Sequence, residues 1–425
     1  MKKQKQISIL VLLLSFQISA HAQNIWIGKT PLPVSALHSA KGFSIGNKGY
    51  VVTGLDQNYI GSPKLWEYDQ TTDTWSAKTN FPGLTRMNAV AFSIGTKGYV
   101  GTGTQTNGSN LNDFWEWDQT TDTWTQKANF GGAARKFATG FAVNGKGYIG
   151  TGWMGMSTLL NDFWEYDPIS DTWTQKTNYP AVRNGAAGFS LGNKGYICSG
   201  GLGIGNNFPN DMYEYDPSLN TWTVKAPLPS SGGAAGAGRN YAFAFTIGNN
   251  AYIGAGTYVD TSISFFPFYC QDFWEYDQST NTWANKPDFP GGNRQWTFGF
   301  GIGTKGYAGG GEAGGNYFSD LWEYTPSTTT GISAIDNDMN ILVYPNPGNG
   351  NFQLTFGNIQ LPKGEIEINN ALGEKVYQSE ISNPTCPDCF GKSEIDLSGL
   401  PDGIYFIRLT ADKFSASKKL IITKN

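Results

Sequence analysis

The chain has 425 residues, rich in glycine (55) and in aromatics (14 Trp, 21 Tyr, 26 Phe), with only 15% charged residues. Such a composition suits short strands joined by glycine turns and argues against a helical protein. The net charge of −4, with no basic stripe to meet phosphates, excludes nucleic acid as a partner class.

At the amino end Lys2, Lys3 and Lys5 precede a largely apolar run from Ile7 to Ile18 and then Ala20-His21-Ala22. Charged region, short apolar region and small-residue cleavage site in that order predict a signal peptide over residues 1–22. The mature chain then begins at Gln23 with a net charge of −7, because three lysines leave with the signal. No segment holds the roughly 18 consecutive apolar residues of a spanning helix, so no membrane span is expected.

From Trp26 onward the sequence repeats. Trp26, Trp75, Trp124, Trp173 and Trp222 are each 49 residues apart, and a fixed period of that length signals a repeat architecture. Within a unit the phrases Phe92-Ser-Ile-Gly-Thr-Lys-Gly-Tyr99-Val100, Asp113-Phe-Trp-Glu-Trp-Asp118 and Asp122-Thr-Trp124 predict four short antiparallel strands with polar turns. Tyr50, Tyr99, Tyr148, Tyr196, Tyr252 and Tyr307 mark six such units.

These residues resemble the Kelch repeat, with its Gly-Tyr pair, its downstream Trp and its aromatic-Glu-aromatic-Asp strand. The resemblance spans about residues 24 to 330 and implies a six-bladed, all-β propeller, with the innermost strand of a blade coming from segments such as Val90–Ile94. The sixth unit reads Leu321-Trp-Glu-Tyr-Thr-Pro326 and lacks an outer-strand Trp, whereas Trp26 precedes Tyr50 by the same 24 residues as Trp75 precedes Tyr99. The amino end is therefore expected to supply the missing strand and close the ring.

The period stops at Gly331. A linker over 332–341 leads to Leu342-Val-Tyr-Pro-Asn-Pro-Gly348, then Ala371-Leu-Gly-Glu-Lys-Val376, Ile395-Asp-Leu-Ser-Gly-Leu400, Gly403-Ile-Tyr-Phe-Ile-Arg-Leu409 and a final Lys418-Lys-Leu-Ile-Ile422. Alternation between Pro, Asn and Gly turns predicts a small β-sandwich. In order and wording these phrases resemble the type A sorting domain of type IX secretion, here residues 342–425. That resemblance implies a partner, the type IX machinery, and a route through the periplasm to the outer-membrane surface or the medium. The domains expected are thus 1–22 signal peptide, 23–331 propeller, 332–341 linker and 342–425 sorting domain.

Chemistry is sparse. With His21 removed, His38 is the only histidine left, which deprives Ser-His-Asp and Cys-His mechanisms of their base and a paired-imidazole copper site of its ligands. The Asp pairs Asp69/Asp73, Asp118/Asp122 and Asp167/Asp171 bracket tight turns and read as turn caps, so no metal and no cofactor is expected. Cys386 and Cys389 are close enough in an oxidising compartment to form a local disulfide. Pairing of Cys198 with Cys270 is left open.

Five arginines, Arg86, Arg135, Arg183, Arg239 and Arg294, stand 13 residues before the Tyr of their unit, with Leu37 in that place in the first. One shared register puts them at the channel mouth, and their obedience to the repeat reads as scaffolding. A ligand site should instead break the repeat. Two insertions do so around the fifth unit, Ser230–Gly238 and a longer connection carrying Tyr258, Phe265, Phe266, Phe268 and Tyr269. Asn88, Phe137, Tyr241 and Trp296 at strand starts, with Trp153 and Glu312 on neighbouring loops, complete the candidate ligand-binding set. Rigid aromatics on loops above a scaffold suit a glycan or an extracellular protein. The chain thus reads as a non-catalytic secreted or cell-surface binding module. The alternatives are a carbohydrate-active enzyme, such as a sialic-acid mutarotase-like epimerase, and a structural adhesion or matrix component.

Overall fold

Five-residue segments such as Thr139–Val143 and Lys146–Gly150 are long enough for one short strand, and glycine at the hairpin tip lets the chain turn back at once: Gly46 has φ +58°. The result, seen in a computed structural model, is an all-β molecule. The structure describes residues 24–155, 158–203, 208–230, 237–260, 263, 266–327, 341–356, 364–370, 373–381, 392–411 and 414–424. The predicted signal peptide, most of the linker and the Cys386/Cys389 pair lie outside them.

The described residues up to 327 form six four-stranded antiparallel sheets, each running outward from an innermost strand. Blade one is Lys41–Ile45, Lys48–Val52, Leu65–Asp69 and Thr74–Lys78. Blades two to five begin at Val90, Thr139, Ala187 and Phe243 and repeat that order. Blade six takes Phe298–Ile302, Lys305–Gly309 and Leu321–Thr325 from its own repeat and Ile25–Lys29 from the amino end, with Trp26 opposite Tyr324. The ring closes through the amino-terminal strand, as the 24-residue offset of Trp26 implies.

Repeated side chains have repeated tasks. Each outer-strand indole donates to a main-chain carbonyl of the preceding blade: Trp75 to Thr30 (2.9 Å), Trp124 to Thr79 (2.9 Å), Trp173 to Ala128 (3.1 Å), Trp222 to Thr177 (3.0 Å), Trp283 to Ala226 (3.0 Å) and Trp26 to Pro287 (3.0 Å). The second acid of each pair sits at positive φ, which Asp and Asn tolerate. Asp73 there accepts from the Tyr68 hydroxyl (2.8 Å) and from the Thr30 N–H (3.0 Å). Asn24 holds that place in blade six and accepts from Tyr324 (2.8 Å) and Ser327 (3.0 Å), since Pro287 has no N–H to offer. Within each blade the second-strand Tyr donates to the third-strand Glu, as Tyr50 does to Glu67 (2.7 Å). Neighbouring blades approach closely: a Cβ on Gly49 would lie 2.1 Å from the Phe300 ring.

The second unit, described by itself, stacks a three-stranded sheet (Ile341–Tyr344, Asn351–Phe356, Lys392–Asp396) on a four-stranded one (Lys375–Ile381, Gly364–Asn370, Gly403–Ala411, Phe414–Ile422). Phe352, Leu354, Ile366, Ile368, Tyr405 and Leu420 meet in one core between them. It is a small β-sandwich.

Candidate functional site

The connection from each outer strand to the next innermost strand crosses the mouth of the channel, and one residue in each adopts the left-handed conformation: Ser39 (φ 56°), Asn88 (56°), Phe137 (57°), Gly185 (61°), Tyr241 (59°) and Trp296 (56°). The N–H of each donates to the carbonyl of its counterpart in the preceding blade. The distances are 3.1 Å for Asn88 to Ser39, 3.1 Å for Phe137 to Asn88, 2.9 Å for Gly185 to Phe137, 3.0 Å for Tyr241 to Gly185, 3.2 Å for Trp296 to Tyr241 and 3.0 Å for Ser39 to Trp296. Six hydrogen bonds thus close a ring of main chain. A non-glycine residue in that conformation costs about 1–3 kcal/mol, so glycine would suit all six places. Only blade four has it.

The side chains above this ring differ in every blade. Phe137 meets Tyr241 at 4.9 Å across the gap left by Gly185, where a Cβ would lie 2.7 Å from the Tyr241 ring. Tyr241 meets Trp296 at 5.7 Å, and Trp296 stacks on His38 at 5.6 Å. Tyr317 lies 5.0 Å from His38, and its hydroxyl donates to that of Tyr59 at 2.7 Å. At the other end of this arc Trp153 stacks on Phe137 at 6.4 Å, with the Lys136 ammonium 4.9 Å from the Trp153 ring. Ser39 and Asn88 make the remaining side of the mouth polar.

Beside the arc Glu312, 8% exposed, accepts from Gln295 Nε2 (2.9 Å), the Gly315 N–H (3.0 Å) and the Tyr269 hydroxyl (3.5 Å). His38 is buried, its Nδ1 3.1 Å from the Ser39 hydroxyl, while Nε2 has no partner among the described residues. Burial holds the imidazole below its ordinary pKa, against the opposing pull of the Glu312 carboxylate.

Of the residues singled out in the sequence, Asn88, Phe137, Tyr241 and Trp296 come together at the mouth. Trp153 extends the arc on the blade-three side, and Tyr269 with Glu312 extends it on the blade-six side. Tyr258 and Phe268 stack on each other at 5.4 Å in the hairpin Thr257–Tyr258/Phe268–Tyr269. Phe266 is 81% exposed, and Phe265 lies outside the described residues. Of the first insertion, Gly238 bonds blade four, its N–H donating to the Phe208 carbonyl at 2.6 Å. His38, Tyr59, Tyr317 and Lys41 escaped sequence reasoning. The signal for His38 in the sequence is its register, which it shares with Met87, Lys136, Asn184, Asn240 and Gln295.

The arginines are not at the mouth. All five are buried inside the blades and absent from the residues lining the channel. The physical reason is a partner: the Asp before each third strand draws the guanidinium into its own blade. Arg86 is bidentate to Asp113 (both 2.6 Å) and bonds the Thr102 carbonyl (3.0 Å), over the Phe81 ring. Arg135 repeats this with Asp162, Thr151 and Phe130. Arg183, Arg239 and Arg294 pair with Asp211, Asp272 and Asp320. Burial opposes the Asp113 and Asp162 carboxylates, but the guanidiniums hold both below the usual range. The third-strand indole donates to the same carboxylate, as Trp115 does to Asp113 (2.7 Å). Blade one has Leu37 and Lys64 instead, and Trp66 Nε1 is left buried without a partner. Blade four has Tyr213 for the Trp, and there Asp211 Oδ1 is the orphan. Cys198 and Cys270 are both buried thiols, not joined in a disulfide.

Comparison with known proteins separates the two units. Residues 342–423 match the family described as secretion system C-terminal sorting domain. The C-terminal unit is a type IX sorting domain. With this tail the chain is a secreted or cell-surface protein. No curated protein matches the chain. Among solved structures, that of YjhT is similar over 69% of this chain and 95% of its own, with 19% identity and a TM-score of 0.59. At that identity the likeness concerns the fold, a Kelch-like propeller, and the sorting domain remains the part matched by sequence.

Proposed function

We propose that the secreted propeller is a non-catalytic binding module whose ligand, a glycan, lies across the aromatic arc at the channel mouth. One observation carries the reading: at the register where the scaffold needs only main-chain hydrogen bonds, and where glycine would cost least, the chain places Phe137, Tyr241 and Trp296. Flat aromatic faces take the C–H faces of sugars with little loss of side-chain entropy, and a few polar groups fix orientation. Asn88 and Ser39 supply such groups beside the arc. The blade-five hairpin with Tyr258, Phe266, Phe268 and Tyr269, together with Trp153 and Glu312, widens the surface. The arginines belong to the scaffold, each committed to an aspartate of its own blade. Export runs through a signal peptide over 1–22 and then through the machinery that reads residues 342–425, with the propeller ending near 331.

The test is a glycan array read with the secreted chain and with a Tyr241→Asn/Trp296→Asn variant. Asn tolerates the left-handed conformation, so the main-chain ring is kept while both rings are lost. Specific glycan signals that disappear in the variant are the expected result. An array without specific signals, with an extracellular protein ligand or a turnover reaction found instead, overturns the glycan reading.

A further inference from the structure

The mouth holds a void of about 30 Å³, and behind it the channel continues as voids of about 90 and 180 Å³, widening toward the opposite end. Of the described residues that line them, Lys41 alone is charged. At its register the other blades carry Val90, Thr139, Ala187, Phe243 and Phe298, none of them charged. Lys41 is partly buried where it borders the channel, and its side chain makes no ion pair or hydrogen bond with any described residue. The other lysines that open a hairpin strand are paired, Lys97 with Asp118 at 2.5 Å and Lys146 with Asp167 at 2.5 Å. Burial lowers the Lys41 pKa to about 8, so at neutral pH most molecules still carry the charge.

A partly buried ammonium in a narrow channel without a counter-charge is costly. We propose that the channel is a small-anion site in which Lys41 is the counter-charge of one free monovalent anion of formate or chloride size. The middle void accommodates such an ion with a water or two, given about 30 Å³ per water. The wider end offers a way in and hydroxyl donors, being lined by Ser44, Ser93, Ser190 and Thr246. The inference is independent of the glycan at the mouth, which approaches from the other end.

The experiment is thermal melting of the full chain in sodium formate. Sodium gluconate, whose anion is much bulkier than formate, keeps the ionic strength fixed. All 14 tryptophans lie at or before residue 322, so their fluorescence follows the propeller alone. Wild type is expected to show a saturable rise in Tm of a few degrees. Lys41→Val, which copies Val90, and Lys41→Met should show none, and both should melt at or above wild type when formate is absent. On wild type itself, the Lys41 13Cε titration midpoint should move upward when formate is added. A formate response equal in wild type and variants, or a wild-type midpoint that formate leaves in place, overturns the site.

Discussion

At the rim of the propeller Trp26, Trp75, Trp124, Trp173, Trp222 and Trp283 perform one task six times, each donating to a carbonyl of the blade before it. At the mouth Ser39, Asn88, Phe137, Gly185, Tyr241 and Trp296 share a backbone conformation and a ring of main-chain bonds but no side-chain chemistry. The difference follows from where the stabilising atoms are. Rim contacts are made by side chains, so a blade that changed its side chain would lose the contact, just as blade one, with Lys64 where the other blades have Asp, leaves its third-strand Trp66 indole without a partner among the described residues. Mouth contacts are made by main chain, so each blade is free to place a different group over the channel. Scaffold and recognition are thereby separated within one repeat.

Removal of the closing strand should break the rim most severely. Without Ile25–Lys29, Trp26 leaves a cluster containing Phe243, Phe245, Phe273, Phe289 and Tyr324, and blade six exposes an unpaired edge. Truncating one large aromatic in a core already costs about 3–5 kcal/mol, so a deletion of residues 24–30 should lower the melting temperature sharply. An unchanged melt would show that the ring does not depend on its amino-terminal strand.

Next in size is Arg135→Met, which strands the Asp162 carboxylate and the Thr151 carbonyl. Loss of one partner from a buried pair costs about 3–5 kcal/mol, measurable by urea denaturation, while glycan affinity should stay within a factor of two. Lost affinity with unchanged stability would move the arginines from scaffold to site.

The same register can be built where it is missing. Leu37→Arg with Lys64→Asp gives blade one the pair found in the others and gives Trp66 Nε1 an acceptor. Each single change should destabilise, and the double variant should recover, with a coupling of about 0.5–3 kcal/mol between the two sites. Additive losses would mean that blade one is shaped against the pair.

The smallest effects are those of pH. The Lys41 pKa is about 8 in the fold against the ordinary 10.5, so between those values the unfolded chain binds more protons and stability rises with pH. Lys41→Val should remove that rise. His38, held below 6.5 by burial, has the same sign at lower pH: its contribution is complete above about 6.5, the ordinary histidine value, and falls as the unfolded chain takes up the proton first. Wild type compared with His38→Asn by denaturation between pH 5 and 7 should show the difference.

Most of the fold was legible because rim residues recur. The 49-residue spacing of the tryptophans and the displaced Trp26 announce blades and closure, since those side chains make the inter-blade bonds. The place of the arginines was not legible, because spacing from Tyr fixes their register but not the Asp two strands further along the chain that turns them inward. Nor was the aromatic arc readable as a whole. His38 and Tyr59 belong to blade one and Tyr317 to blade six, and only the closed ring brings Tyr59 and Tyr317 within a 2.7 Å hydrogen bond. Lys41 was hidden by its neighbours in sequence, where lysine opens so many strands that one more attracts no notice.

The separation of scaffold from recognition is tested most directly by calorimetric titration of the best array ligand into wild type and into Tyr241→Asn/Trp296→Asn, with a melt recorded on each sample. The predicted result is an affinity at least 100-fold weaker in the variant and a melting temperature within a few degrees of wild type. Equal affinities, or a variant that no longer folds, would contradict it.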